Sequence, residues 1–201
     1  MDDTERRRSD DGEGVGQTWT SRPRNATAEH NSWSAFLRHP IDADASDMQA
    51  LVAGTGILDV NSTYAYLLLA SDFAETCIIA RRDDEVCGLV TGYHPPSRPE
   101  VLFVWQVAVA ERARGTGLAV TMLDELVRRV RDARQGHPIT VETTVAPTNA
   151  PSRALFGAFA RRHGVPLVEK PRFAAAQFGS DGAHEDEPTL RIGPILAAVP
   201  G

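Results

Sequence analysis

A chain of 201 residues, 42% hydrophobic and 24% charged, is long enough to enclose one sizeable core with length to spare. A formal net charge of −6 argues against nucleic acid as the main partner and suits a cationic one. No apolar run approaches the ~20 residues of a membrane helix, and no apolar segment follows the arginines near Met1, so neither a membrane span nor a secretory signal is expected. Cys77 and Cys87 lie in apolar runs without metal-ligand spacing. They are expected as reduced core thiols of a cytoplasmic protein that binds no metal.

Residues 1–33 are rich in Asp, Arg, Gly, Ser and Thr and nearly lack aliphatic side chains. Ordering them would cost more conformational entropy than their burial returns, so a disordered tail is expected. A folded domain is expected over 34–196, with 197–201 loose. A short strand is predicted at 36–39. The carboxylates of 42–47 then suit the positive end of a helix that runs to about Ala53 and stops at Gly54. Asn61 or Ser62 caps a second helix carrying Tyr64 to Leu69.

The apolar runs 76–80 and 86–93, around Arg81-Arg82-Asp83-Asp84, read as a hairpin. The run 101–109 is apolar throughout except Gln106, as in a central strand covered on both faces. A helix to about Arg134 places Ala119, Met122, Leu123, Leu126 and Val130 on one stripe, with Arg128, Arg129 and Arg131 facing away. A strand at 139–145 follows, then a helix from Asn149 to about His163 with Pro151 in its first turn. Short strands near Leu167 and at 190–192 flank a turn of helix near Phe173. The sum is α+β: a central mixed, mostly antiparallel sheet with helices on both faces.

Chemistry is written most clearly where a strand runs into Arg112-Ala113-Arg114-Gly115-Thr116-Gly117 and then an amphipathic helix. The first N–H groups of a helix lack internal partners and carry partial positive charge. Glycines let a pyrophosphate approach that backbone, and Arg112 and Arg114 add cationic donors. No Gly-Lys-Ser/Thr follows and the third glycine of a dinucleotide fingerprint is missing, so neither a Walker loop nor a Rossmann site is indicated.

Gln106-Val107-Ala108-Val109, four residues, and Arg-Ala-Arg-Gly-Thr-Gly-Leu118-Ala119 together resemble the coenzyme A motif of the GCN5-related N-acetyltransferases. The order of elements fits that family too. Asn149, Ser152 and Phe156 resemble its second cofactor-contacting segment. The resemblance implies a GNAT fold in which the fourth and fifth strands splay apart. It implies acetyl-CoA as co-substrate, with pantetheine against the backbone of Val107 and Val109. It places Phe156 where many members carry a tyrosine that protonates the departing thiolate, a proton phenylalanine cannot supply.

Further stretches resemble the family of L-2,4-diaminobutyrate acetyltransferases: Leu58-Asp59-Val60-Asn61-Ser62-Thr63-Tyr64-Ala65-Tyr66, Leu102-Phe103-Val104-Trp105-Gln106, Glu142-Thr143-Thr144-Val145, Phe178-Gly179 leading to His184-Glu185-Asp186-Glu187, and Arg191-Ile192-Gly193-Pro194. This match spans roughly 36–195. It implies acetylation of the γ-amine of diaminobutyrate on the route to ectoine, an osmoprotectant, by a homodimer.

Such a substrate, a small dication with one carboxylate, needs polar or anionic ligands. Asp59 is a candidate for binding an ammonium, or is a loop carboxylate before a helix cap. Tyr64 hydrogen-bonds the substrate or is a core aromatic. Trp105 and Gln106 alternate across the strand, so one of them alone is expected to face the acceptor. Trp105 offers a cation–π wall or plain packing. Glu142 holds a water or the amine, or caps the strand edge. His184 and Glu187 converge in a turn but diverge in a strand, or belong to a solvated acidic loop.

Direct attack of the neutral amine on the thioester is expected. A backbone N–H near Val107 would stabilise the oxyanion. The candidate bases are Glu142, Asp59 and Glu187, with His184 as a relay. The rival readings are an acetyltransferase of another small amine or of a protein N-terminus, and a non-enzymatic acyl-CoA sensor.

Overall fold

The computed structural model describes residues 36–82, 84–179 and 184–196; the tail expected over 1–33 and the loose end expected over 197–201 lie outside them. Among the described residues seven strands form one sheet: β1 (Leu37–Arg38), β2 (Ile78–Arg82), β3 (Glu85–Tyr93), β4 (Val101–Val109), β5 (Ile139–Thr144), β6 (Leu167–Phe173) and β7 (Glu187–Ile195), in the order β1-β2-β3-β4-β5-β7-β6. Neighbours run antiparallel except β4 and β5, which are parallel. Helices α1 (Ala45–Thr55) and α2 (Thr63–Ser71) cover one face, and α3 (Leu118–Ala133) and α4 (Ala150–Arg162) the other.

The apolar runs follow from this double cover, because alternate residues of one strand enter opposite cores. Ile78 belongs to the core that holds Met122, Leu126 and Phe159, while Ile79 belongs to the one that holds Met48, Val52 and Leu69. The α3 stripe is Leu118, Met122, Leu123, Leu126, Val127 and Val130, all buried. Both cysteines are buried and unpaired, and burial pushes the Cys77 thiol up to about 12.

Asp44 ties the first elements together. Its buried carboxylate accepts from Arg38 at 2.6 and 2.8 Å, from Arg81 at 2.9 Å and from the Ile41 N–H at 2.8 Å. Burial alone would raise this carboxyl, but those donors outweigh it and hold it below the usual carboxylate range.

Several expectations shift. The first helix passes Gly54, runs to Thr55 and closes on Gly56 in the left-handed region (φ 67°). Phe173 belongs to a full strand, and the turn of helix follows it at Ala175–Phe178. The last strand is longer than 190–192 because it is hydrogen-bonded on both sides, to β5 and β6.

Two irregularities shape the site. Between β3 and β4, Thr91 pairs with Gln106 but Gly92 pairs with Val104, leaving Trp105 as the extra residue of a bulge. The strands approach so closely there that a side chain at Gly92 would put its Cβ 2.7 Å from the Phe103 carbonyl oxygen. Between β4 and β5, pairing covers Val101, Leu102 and Phe103 alone, and the strands part beyond Phe103.

Candidate active site

The parting of β4 and β5 exposes backbone. The Ala110 N–H donates to the Cys87 carbonyl on β3 at 2.9 Å. By antiparallel alternation, the peptide groups of Val109 and Val107 point the other way, toward the gap. Beyond β4 the chain turns through Gly115 (φ 75°) and reaches Gly117 (φ 83°), the cap of α3. Among the described residues no side chain caps that helix end, which leaves its first N–H groups without a capping partner there. Thr116 steadies the turn by donating to the Ala113 carbonyl at 2.8 Å. Arg114 donates to the Val109 carbonyl at 3.3 Å, and Arg112 pairs with Glu85 at 2.5 Å, both partners exposed.

The side chains of Leu118 and Ala108 belong to the two cores, since each points inward from its element. Any role of these two toward a cofactor is confined to their backbone. Ala119 is partly buried on the first turn of α3. Asn149 caps α4, accepting from the Ser152 N–H at 3.1 Å, and Phe156 is buried one turn further on.

A cavity of about 850 Å³ fills the gap. Val107, Val145, Asn149, Ser152 and Phe156 are among the residues that line it, as are Asp59, Trp105, Gln106, His184 and Glu187, whereas residues 112–119 are not. Trp105 and Gln106 both reach it, contrary to the alternation expected, because the bulge adds a residue and resets which way the next side chain points. Trp105 is 45% exposed there. Gln106 is 5% exposed; it accepts from the Tyr66 hydroxyl at 3.2 Å and donates to the Asp59 carbonyl at 2.9 Å. It therefore holds the Asp59 loop against the sheet.

Tyr64 stands apart. It is 68% exposed and does not line the cavity, because Tyr66, Leu69 and Ala70 form the inward stripe of α2. Tyr66, which the helical spacing to Leu69 and Ala70 turns inward, is buried and reaches the site through its bond to Gln106. His184 precedes β7 instead of lying in it, so it converges with Glu187 on the cavity. The His184 ring stacks on Phe178 at 4.9 Å, and Glu187 accepts from the Thr144 hydroxyl at 2.7 Å.

Glu142 does not line this cavity. It is 4% exposed, accepting from Arg98 at 2.7 Å and also from Arg191. Burial would raise its carboxyl, but the two guanidinium groups outweigh burial and hold it below the usual range. A carboxylate so paired is a poor proton acceptor, so the site's base is sought elsewhere. Among the described residues, no group of three or more His, Cys, Asp or Glu side chains is arranged to hold a metal ion, and no helix is long and apolar enough to cross a membrane.

A mixed sheet opened beside a glycine-capped helix defines a class of acyl-CoA-dependent transferases. The chain belongs to the acetyltransferase (GNAT) family, whose model matches residues 47–160. It is 40% identical over 172 residues to the L-2,4-diaminobutyric acid acetyltransferase of Halomonas elongata, a match covering 85% of this chain and 87% of that protein. It is 43% identical over 162 residues to that of Streptomyces coelicolor, covering 80% and 94%. The solved structure of the diaminobutyrate acetyltransferase EctA from Paenibacillus lautus, in complex with its substrate L-2,4-diaminobutyric acid and coenzyme A, aligns with a TM-score of 0.72. That match is at 37% identity and covers 82% of this chain and 97% of that one.

Proposed function

We propose that this chain transfers the acetyl group of acetyl-CoA to the γ-amine of L-2,4-diaminobutyrate, giving N-γ-acetyl-diaminobutyrate for ectoine synthesis in the cytoplasm under osmotic stress. The observation that carries the reading is one cavity that joins the open edge of β4 to an acidic, aromatic-walled end. The identity to diaminobutyrate acetyltransferases over most of the chain supports the choice of amine.

Acetyl-CoA supplies the activated thioester when bound. The uncapped N–H groups of α3 and the turn at Gly115 and Gly117 suit its pyrophosphate. The outward peptide groups of Val107 and Val109 suit its pantetheine, and the Val107 N–H is the donor for charge developing on the carbonyl oxygen.

An alkylammonium with a pKa near ~10 lies about three units from neutral at pH 7, so deprotonation costs on the order of 4 kcal/mol. A general base must take that proton. In this reading Glu187 does so. Asp59 binds the second ammonium and Trp105 walls the amine in. Phe156 offers no proton, so the leaving thiolate takes one from another group, the reacting amine or solvent. The reading includes a homodimer, which light scattering on the purified chain tests.

Mass spectrometry of the product from acetyl-CoA and L-2,4-diaminobutyrate tests the activity, with the acetyl group expected on the γ-nitrogen. Lysine-like or peptide acceptors outpacing diaminobutyrate would overturn the choice of substrate.

A further inference from the structure

The charged lining of the cavity is lopsided. Asp59, Glu185 and Glu187 supply acid, while Arg172 is its one lysine or arginine among the described residues. Arg172 sits where the pairing of β6 with β7 slips between Lys170 and Phe173. Its guanidinium lies 4.7 Å from the centroid of the Phe103 ring and 4.8 Å from that of Phe173.

Phe103 is the last residue of β4 to pair with β5, so this cation stands at the apex of the opening. The cofactor motif lies at the other end of β4. Arg98 and Arg191 both bond Glu142, whereas Arg172 forms no ion pair among the described residues. Rings on its faces leave the N–H edge of a guanidinium available for a planar acceptor. Arg172 also lines a second hollow of about 400 Å³ with Arg98, Lys170, Arg191 and the Glu142 carboxylate that pairs with both of those arginines, so the neighbourhood carries a net positive charge.

We propose that Arg172 binds the carboxylate of the acceptor and so selects an amino acid over a plain diamine, an inference that rests on the diaminobutyrate reading. The acids attract both ammonium groups alike and cannot by themselves distinguish the two ends of the substrate. A single cation beyond the thioester end of the gap can. It draws the carboxylate to the apex and leaves the amine at the far end of the carbon chain toward Val107. A diamine without a carboxylate leaves the arginine unpaired and loses that orientation.

The test compares L-2,4-diaminobutyrate with 1,3-diaminopropane, its decarboxylated analogue, for the wild type, Arg172→Met and Arg172→Lys. The wild type is expected to favour diaminobutyrate in kcat/KM. Arg172→Met, whose side chain still packs on Phe103 and Phe173, is expected to cut kcat/KM for diaminobutyrate about 10- to 100-fold, mainly through KM. It should leave 1,3-diaminopropane within about twofold and the KM for acetyl-CoA unchanged, and Arg172→Lys should fall between.

A wild type that treats both amines equally overturns this inference while the diaminobutyrate reading stands, whatever the variants' folding. Equal losses on both amines, or a raised KM for acetyl-CoA, overturn it as well. A wild type that turns over neither amine overturns both readings together.

Discussion

Glu142 on β5 and Glu187 on β7 lie on adjacent, paired strands and have opposite surroundings. Glu142 is enclosed and bonded to two arginines; Glu187 is half-buried and bonded to the Thr144 hydroxyl. A carboxylate between two cations is stabilised in its charged form and resists protonation. Glu187 instead meets a neutral hydroxyl and faces the cavity, where an ammonium can reach it. The difference separates an acid that fastens strands from one placed as the proposed base has to be.

The largest effect that separates the two is on turnover. Glu187→Gln is expected to lower kcat about 100- to 1,000-fold, the range of general-base catalysis, with an unchanged melting temperature. Turnover near the wild-type value would remove the base from this strand. Glu142→Gln is expected to do the reverse. It strands two guanidinium groups beside a neutral amide, costing about 2 kcal/mol because both arginines remain partly hydrated. Calorimetry should show a loss on the order of 5 °C in Tm, with kcat within about threefold. A Glu142→Gln protein that melts normally but has lost turnover would invert the comparison.

A smaller effect appears on acidification. Glu142 and Asp44 are both held below their ordinary range in the folded chain. The stability they contribute is therefore fully present above the unfolded value near ~4, and is lost as pH falls through the folded values. Protonated glutamic acid resembles glutamine in shape and charge. Urea-unfolding curves of wild type and Glu142→Gln should thus differ at pH 7 and converge by on the order of 1 kcal/mol as pH falls below about 4. Asp44→Asn should show the same convergence. A gap that widens on acidification would mean that these acids are not charged partners in the fold.

Much of this arrangement was legible in the chain. The continuous apolar strands, the α3 stripe and the glycine turn before it are local patterns, each set by residues within a few positions. The bulge at Trp105 was not legible, since it arises from how β3 and β4 align. Nor were the partners of Glu142, which come from 44 and 49 positions away. The exposure of Tyr64 and the burial of Tyr66 follow from helical spacing, since Tyr66, Leu69 and Ala70 form the inward stripe. Arg172 had no local signal, because Phe103 lies on β4, far away in the chain, and the two meet only through the fold.

The smallest expected effect probes the neutral donor itself. Thr144 sits on β5 opposite Thr189 and donates to Glu187 at 2.7 Å. Valine keeps the branched shape that suits a strand and removes the hydroxyl alone. A hydrogen bond to a half-hydrated carboxylate is worth about 1 kcal/mol, so Thr144→Val should lower kcat/KM for the amine about fivefold. In a Glu187→Gln background, the same substitution should have almost no further effect, because the bond it removes no longer orients a base. A fivefold penalty that persists in the double variant would assign the hydroxyl to the strand or the substrate. The contrast between a cation-held and a hydroxyl-held glutamate would then fail to explain which of the two serves turnover.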